Sequence, residues 1–438
     1  MRIGKLRCIK ARSDSFYLAN GHGPSDSSSR SAALKMKMEK ERYEKFESGF
    51  IPQEKILNIL GIWPSNVNGL APFARFLFAM VINISYIYSL SVEFYRQCVS
   101  VDEAMDAVIL SIVCVTTALK LLINRMNWRH MRILVNSVME DWSTVKDPRH
   151  QRVMTEYFQT GRTAFLALLY MCYASAPSII IKTNSFDEIL KQQIMKYLAG
   201  STDSSNGTWT LNHMTVTTCV YGVMPFYLKI GVLMLQVMQL TIMTISQIGN
   251  DGWFFSLTMH LSGQFEVLQM NLEEMKFEEF DSHKKLGLLV ARHCRLVMLA
   301  KYLKQSFSVI ILLQLFTSTL IMCIEGFVFL VCLGTGDTLG TFKSVMLIFT
   351  MIIQLYLYAY AGDILESRAE GIANAAYKSS WYLLRGNAAR DLTLMIHRGH
   401  LSCHVTAGKF VPMNGFTFKE ALKASASYLS VLRVMMKT

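Results

Sequence analysis

The sequence predicts an all-α membrane protein with seven transmembrane helices. Seven apolar stretches run through the 438 residues, each close to the length of about 20 residues that crosses a hydrocarbon core. Hydrophobic residues make up 52% of the chain, which is high for a soluble protein. The predicted spans are Ala71–Phe94, Ala104–Asn124, Arg162–Ile181, Thr215–Ile248, Ser306–Leu333, Lys343–Ala361 and Phe416–Met436.

A polar arm precedes the first span. Residues 1–48 are rich in Ser, Lys, Arg and Glu, which predicts a disordered cytoplasmic arm. The start of the chain carries charge without an apolar segment, so we expect no cleavable signal peptide. The first span is therefore expected to direct its own insertion.

Charge in the connections predicts the orientation. The second-to-third and fourth-to-fifth connections each carry seven lysines and arginines, and the sixth-to-seventh carries six. The alternate connections carry one, three and one. Cytoplasmic connections retain Lys and Arg, so the N-terminus is predicted to be cytoplasmic and the C-terminus extracellular. The glycosylation sequon at Asn206 agrees, because the third-to-fourth connection then lies outside. A G-protein-coupled receptor would have the opposite orientation.

Two of the connections have the period of helices. Phe254, Leu257, Leu261 and Leu268 recur on one face, and residues 361–398 look similar. We expect both to extend below the membrane as a cytoplasmic helical anchor layer. The predicted division of the chain is an arm at 1–48, six spans with their extensions at 49–361, an anchor segment at 362–411 and a seventh helix at 412–438.

Charged residues inside the spans divide into three cases. The seventh stretch is the least apolar, with Lys419, Glu420, Lys423 and Arg433. Glu325 lies amid apolar residues, where an unpaired carboxylate is costly, so it is either functional or else protonated or paired with a neighbouring helix. Lys120 is near the cytoplasmic end of its span and is expected to extend its amine to the interface.

The sequence lacks the motifs of common enzymes and metal sites. It contains no GxxxxGK[ST], HExxH or CxxC pattern. The local cluster of His397, His400, Cys403 and His404 is more typical of a solvated turn than of zinc. Cys98 and Cys219 lie near the outer face, and whether they pair is open. We predict no enzymatic activity, no cofactor, no metal site and no nucleic-acid partner, because retention of Lys and Arg in the cytoplasm explains the net charge of +12.

Three motifs carry a family resemblance. GIWP stands at residues 61–64, GDILESRAEGIANAAYKSSWY at 362–382, and LKASASYLSVLR at 422–433 after Thr417-Phe418. With this order and spacing, the chain resembles the insect odorant receptors from about Phe50 to its C-terminus. It lacks the TY…QF ending of the gustatory receptors, and it differs from the odorant-receptor co-receptor in its last segment. The long arm departs from the family.

The resemblance implies an odorant-binding tuning subunit of a heteromeric ligand-gated cation channel. Members assemble as tetramers with the co-receptor subunit in the plasma membrane of olfactory sensory neurons, surrounded by membrane lipid. Their ligands are small, volatile and hydrophobic, and the anchor layer makes the main subunit contacts. A gustatory-type receptor channel for soluble ligands is the alternative. A transporter is disfavoured, because the two halves of the sequence show no internal repeat.

Candidate site residues follow from the spacing together with the resemblance. Pore-lining candidates share one face of the seventh helix, and ligand-binding candidates lie in the outer halves of the spans, where aromatic and Met side chains suit small apolar molecules. Ordinary helix packing is the alternative for each residue. The pore-lining candidates are Ser427, Val431 and Met435, and the ligand-binding candidates are Val113, Cys114, Tyr170, Tyr173, Met224 and Tyr227.

Overall fold

The computed structural model of the chain describes residues 53–95, 101–180, 226–275, 282–384, 386–401 and 403–435. The polar arm, Cys98, Asn206, Cys219 and Met224 lie outside the described residues, so the predictions made for them stay predictions.

The described chain is almost entirely helical, which confirms the predicted all-α class. A short helix α1 at 53–59 precedes the longer helices. The helices that follow are α2 Leu70–Tyr95, α3 Val101–Met126, α4 Trp128–Thr144, α5 Pro148–Ile180, α6 Phe226–Glu273, α7 Ser282–Thr335, α8 Thr338–Lys378, a 3-10 turn Trp381–Leu383, α9 Asn387–Gly399 and α10 Gly415–Met435. Before α10, strands β1 Thr406–Ala407 and β2 Val411–Pro412 form an antiparallel hairpin.

Within the described residues, five helices are long and apolar enough to cross a membrane. These are α2, α3, α6, α7 and α8. The third and seventh predicted spans lie in α5 and α10, which are helical but outside that group. The composition of α10 gives the reason, because charged residues interrupt its apolar positions.

Three helices are longer than a membrane is thick. α6 has 48 residues, α7 has 54 and α8 has 41. At 1.5 Å per residue they measure about 72, 81 and 62 Å, against a hydrocarbon core of about 30 Å. Each therefore continues well beyond its apolar segment, as the helical period of the two connections predicts.

These continuations pack into a layer of their own, which we call the extension layer. It consists of α4, residues 251–273 of α6, 282–305 of α7, 362–378 of α8, and α9. Much of the buried hydrophobic core lies here, including Leu134, Val135, Leu272, Leu296, Leu303, Ile372 and Met395. The apolar spans instead expose large side chains such as Phe78, Val81, Phe316 and Phe349. Such surfaces require lipid or another subunit as their neighbour.

The GIWP motif is a loop that closes over three helices. Gly61 has a φ of 68°, and a Cβ there would lie 2.0 Å from the carbonyl oxygen of Pro72 in α2. Arg125 of α3 donates to the carbonyl of Gly61 at 2.9 Å. Trp63 packs against Trp253 of α6 with ring centroids 5.4 Å apart. The glycine is therefore required by a positive φ and by a close backbone approach.

A buried carboxylate joins three helices of the extension layer. Asp141 of α4 accepts from Arg292 of α7 at 2.7 Å and lies 3.2 Å from Nε2 of His260 in α6. Burial alone would raise the pKa of the Asp141 carboxyl. The hydrogen bond from His260 and the charge of Arg292 outweigh burial and hold that pKa below its ordinary value.

Asp141→Asn is expected to lower the melting temperature at neutral pH by several degrees. The variant leaves Arg292 without its anion, and breaking a buried pair costs about 3–5 kcal/mol. A lowered folded-state pKa contributes stability above the ordinary carboxyl pKa, and this contribution is lost as the pH falls through the folded value. Melting curves of the detergent-solubilised protein across acidic pH therefore converge for wild type and variant. A deficit that stays constant down to strong acid would contradict this role.

Candidate functional site

The start of α10 is held between α7 and α8. The hairpin before it donates from the Gly408 N–H to the carbonyl of Ser308 in α7 at 2.8 Å. On the other side, the Gly415 N–H at the first residue of α10 donates to the carboxylate of Asp363 in α8 at 2.9 Å. An anion at a helix N-terminus is favourable, because the first N–H groups have no partner within the helix.

Gly362 lets the chain before α10 lie directly on α8. A Cβ at this position would lie 1.9 Å from the carbonyl oxygen of Met413. The Met413 N–H donates to the carbonyl of Val405 at 2.9 Å, which fixes the segment from the opposite side. The Gly-Asp pair of the second motif thus serves the start of α10: the glycine provides the space and Asp363 provides the anion.

One face of α10 packs on α7. Thr417, Ala421 and Ser425 recur every fourth residue and are buried. A Cβ at Gly326 of α7 would lie 3.1 Å from the side chain of Leu429, so the two helices approach closely there. The small side chains of Ala421 and of Ser425 in the third motif, together with Gly326 of α7, therefore allow this packing.

The described part of the chain leaves the opposite face of α10 uncovered. Ser427 is exposed, and Val431 is 57% exposed. Glu420 and Lys423 lie on the same helical stripe and are also exposed. Met435 is the last residue of α10. The structure thus places Ser427 and Val431 on a helix face that the described residues leave uncovered, and the pore-lining role predicted for Ser427, Val431 and Met435 stays a prediction.

Two of the ligand-binding candidates lie in one apolar cluster. Cys114 of α3 is fully buried, and its Sγ lies 3.3 Å from the Sδ of Met243 in α6. Tyr86 and Leu90 of α2 belong to the same cluster, and Val113 packs at its edge. Sequence reasoning did not select Met243. Its spacing within a long apolar helix resembles that of many other residues, so no local signal distinguishes it.

The tyrosine candidates lie on exposed faces. Tyr170 of α5 is 72% exposed and Tyr227 at the start of α6 is 85% exposed. Tyr173 is exposed as well. The structure therefore brings Val113 and Cys114 together but does not bury these tyrosines beside them.

Lys120 is buried, and the expectation that it extends to the interface is wrong. Its side chain is 0% exposed, and its Nζ lies 2.6 Å from the Oδ1 of Asp251 in α6. It also donates to the Oε1 of Gln314 in α7. Asp251 explains why Lys120 does not extend to the membrane interface. Its carboxylate pairs with the amine inside the bundle, so the charge is compensated there.

The Lys120–Asp251 pair is the centre of a polar network that joins four helices. Tyr358 of α8 donates to the Asp251 carboxylate at 2.5 Å, and Gln354 of α8 donates to it as well. Gln314 of α7 accepts from Gln247 of α6 at 3.0 Å. Every member is buried or nearly so. Such a network is stabilising when its groups are satisfied, and it fixes how α3, α6, α7 and α8 lie against one another.

A small cavity borders this network. It is lined by Phe165 and Leu168 of α5, by Asp251 and Phe254 of α6, and by Tyr358. Its volume of about 10 Å³ is that of a single water site, so it is too small for a volatile ligand.

Comparison with known proteins decides the family. The family model described as 7tm Odorant receptor matches residues 100–426. This chain belongs to the odorant receptor family. As an odorant receptor with several membrane-spanning helices it is a multi-pass membrane protein with a receptor function, and the predicted absence of enzymatic activity agrees with that family. The match supports the odorant interpretation over the gustatory alternative.

Individual relatives of this chain are also named as odorant receptors. Odorant receptor 10a of Drosophila melanogaster is 23% identical over 397 residues, which cover 86% of this odorant receptor and 93% of that protein. Odorant receptor 47a of the same species is 28% identical over 190 residues, which cover 42% of this chain and 48% of that protein.

Solved structures share the fold. The olfactory receptor OR5 of Machilis hrabei in complex with eugenol matches with a TM-score of 0.70 at 11% identity, covering 88% of this odorant receptor and 97% of that chain. The structure described for OR5 without mention of a ligand gives a TM-score of 0.69 at 12% identity, covering 89% and 98%. At these identities the likeness is one of fold alone.

Proposed function

We propose that this odorant receptor is the tuning subunit of a heteromeric ligand-gated cation channel that opens to small volatile molecules. Its partner is the odorant-receptor co-receptor, and its location is the plasma membrane of olfactory sensory neurons. The observation that carries the proposal is a partly charged face of α10 that the described residues of the subunit leave uncovered, while the opposite face packs on α7.

The uncovered face of α10 carries charged side chains and therefore requires contact with water. α10 is not among the helices apolar enough to cross a membrane, and Glu420 and Lys423 are exposed on it. A charged side chain at the centre of a bilayer costs roughly 2.5–3.5 kcal/mol or more. Several copies of α10 around a water-filled conduit remove that cost. Ser427 then contributes a hydroxyl, and rings of Val431 and Met435 form an apolar constriction that closes by dewetting.

We place the ligand on the side of the Lys120–Asp251 pair that faces away from the extension layer. The cluster around Val113, Cys114 and Met243 is an apolar environment for a volatile molecule. Tyr170, Tyr173, Met224 and Tyr227 are proposed as further walls of that site. A ligand opens the pore only as far as it binds the open arrangement more tightly.

A continuous set of contacts joins the two sites. Cys114 and Lys120 lie on the same helix, and Lys120 pairs with Asp251. Asp251 accepts from Tyr358 of α8, and Asp363 of α8 holds the first residue of α10. A shift of α3 against α6 at the ligand end is thereby linked to the position of α8 and the start of α10.

The orientation is part of the proposal. Positive charge in alternate connections supports a cytoplasmic N-terminus, an extracellular C-terminus and a cytoplasmic extension layer. Asn206 is then an extracellular glycosylation site.

Val431→Ser is expected to raise the resting cation leak several-fold. A hydroxyl in an apolar constriction lowers the cost of hydrating the closed pore. Whole-cell current without ligand, in cells that also express the co-receptor, measures the leak. Ala426→Ser is the matched control, since Ala426 is exposed on a different side of α10. Equal leak in both variants and wild type would contradict the pore assignment.

A further inference from the structure

The hairpin before α10 lies beside the apolar part of α7. Its strands are joined by a turn that consists of Gly408, Lys409 and Phe410. The Gly408 N–H donates to the carbonyl of Ser308 at 2.8 Å, and the Ser308 hydroxyl donates to the carbonyl of Gly408. A Cβ at Gly408 would lie 3.2 Å from the side chain of Leu312, so the turn rests directly on α7. Both α7 residues belong to its uninterrupted apolar stretch, so the turn lies at the level of the first turns of that span.

The tip of the turn exposes a large apolar side chain. Phe410 is 84% exposed. On α7, Val309, Leu312 and Phe316 recur on one helical stripe and are 49%, 39% and 67% exposed. Leu312 belongs to both surfaces, because it also lies under Gly408. The apolar face of the span therefore continues onto the hairpin, and the hydrocarbon that covers the span also reaches Phe410.

Two lysines flank this apolar tip. Lys409 is exposed next to Phe410. Lys304 lies one helical turn before Ser308 on the same stripe of α7, about 6 Å closer to the extension layer. Lys304 is also near enough to Cys403, which precedes the hairpin, for its charge to act on that thiol. A lysine at the edge of an apolar surface keeps its stem in hydrocarbon and its amine among the headgroups, so both amines are expected at the level of the lipid phosphates.

The charge around the turn has no compensation from its own segment. From Ser379 to Asn414 the chain has four Lys and Arg residues and one acidic residue, Asp391. Within the described part of the chain, neither Lys304 nor Lys409 forms an ion pair with a carboxylate. Both amines are therefore available to an anion that comes from outside the chain.

We propose that the turn Gly408–Phe410 enters the cytoplasmic leaflet, where Lys409 and Lys304 hold the phosphate of an anionic phospholipid and Phe410 lies among its acyl chains. The choice of leaflet rests on the proposed function, which places the extension layer in the cytoplasm. Anionic lipids give the cytoplasmic leaflet a negative surface potential that attracts basic segments next to a span. Because the hairpin leads directly into α10, the bound lipid fixes the level at which α10 enters the membrane.

Native mass spectrometry of the purified receptor tests the site. Phosphatidylserine and phosphatidylcholine with the same acyl chains are added at equal concentrations, and the lipids that remain bound are counted. Wild type is expected to prefer phosphatidylserine at least about tenfold. Lys409→Gln and Lys304→Gln are each expected to lower this preference about fivefold, which is what one lysine contributes at an anionic lipid surface. Lys284→Gln is the matched control, since Lys284 is exposed on α7 about 30 Å along the helix from Lys304.

Equal binding of the two lipids in wild type, or a preference that neither lysine variant changes, would overturn the proposal. Excess inorganic phosphate should leave the phosphatidylserine adducts in place, and their displacement would assign the site to free phosphate instead. Phe410→Ser is expected to lower the retention of both lipids without changing their ratio. If Phe410→Ser instead reduces the oligomeric mass and leaves lipid binding unchanged, the tip is a contact between subunits and the proposal fails.

The lipid measurement is independent of channel activity. A receptor that retains phosphatidylserine through Lys409 and Lys304 but gives no odorant-evoked current would keep the lipid site, while the proposed channel function would fail. A receptor that conducts normally and binds both lipids equally would keep the channel function, while the lipid site would be overturned.

Discussion

Lys120→Met is expected to reduce surface expression severely and to lower the melting temperature by several degrees. The variant leaves Asp251 buried among four helices without its cation, and removing one member of a buried pair costs about 3–5 kcal/mol. Whole domains are stable by only about 5–15 kcal/mol, so much of the margin is lost. Surface biotinylation and melting of the detergent-solubilised protein measure the two effects.

The double variant Lys120→Met with Asp251→Asn distinguishes charge from packing. Removing both charges takes away the uncompensated carboxylate, so the double variant should be more stable than Lys120→Met alone. Lys301→Met, an exposed lysine of α7, is the matched control and should resemble wild type. Surface expression of Lys120→Met at the wild-type level would contradict the structural role of the pair.

Gly362→Ala is expected to abolish most of the odorant-evoked current. The added methyl group would lie 1.9 Å from the carbonyl oxygen of Met413, far inside contact distance. The Met413 N–H is bonded to Val405, and two residues later Gly415 is bonded to Asp363. The clash is therefore relieved by a movement of the start of α10. Forcing extra volume into a packed contact typically costs about 1–3 kcal/mol.

A second helical glycine provides the control for that experiment. A Cβ at Gly287 of α7 meets no atom within 4 Å. Gly287→Ala should therefore leave the current unchanged and stabilise the helix by up to about 1 kcal/mol. Peak current normalised to surface protein measures both variants. Wild-type current from Gly362→Ala would show that α10 does not depend on this contact.

The fold was predictable wherever apolar length alone decides it. α2, α3, α6, α7 and α8 follow from uninterrupted apolar stretches, and the helical extensions of α6 and α8 follow from their period. The hairpin Thr406–Ala407 with Val411–Pro412 was not predictable, because two-residue strands leave no pattern in a sequence. Its Gly408 contacts Ser308, 100 residues earlier in the sequence, and this contact forms only in the folded chain.

The candidate site was predictable in part. The shared face of Ser427 and Val431 on α10 follows from helical spacing. The contacts of Gly362 and Asp363 that hold the start of α10 were not predicted from the sequence, although both residues lie in the second motif. The Lys120–Asp251 pair was missed because Asp251 lies in the sequence GNDG, which is typical of a helix end, yet it lies within α6. A charged residue in each of two long apolar helices is the signal that could have suggested the pair. The exposure of Tyr170 and Tyr227 depends on tertiary packing that spacing does not specify.

Odorant-evoked cation current with and without the co-receptor tests the central claim most directly. The receptor is expressed in cells that lack odorant receptors, alone and together with the co-receptor, and a panel of volatile ligands is applied under whole-cell recording. The co-receptor alone is the control. We predict ligand-evoked cation current only when both subunits are present, with ligand selectivity absent from the co-receptor alone. Current from this receptor alone, or a second-messenger response without any current, would contradict the claim that it is the tuning subunit of a heteromeric channel.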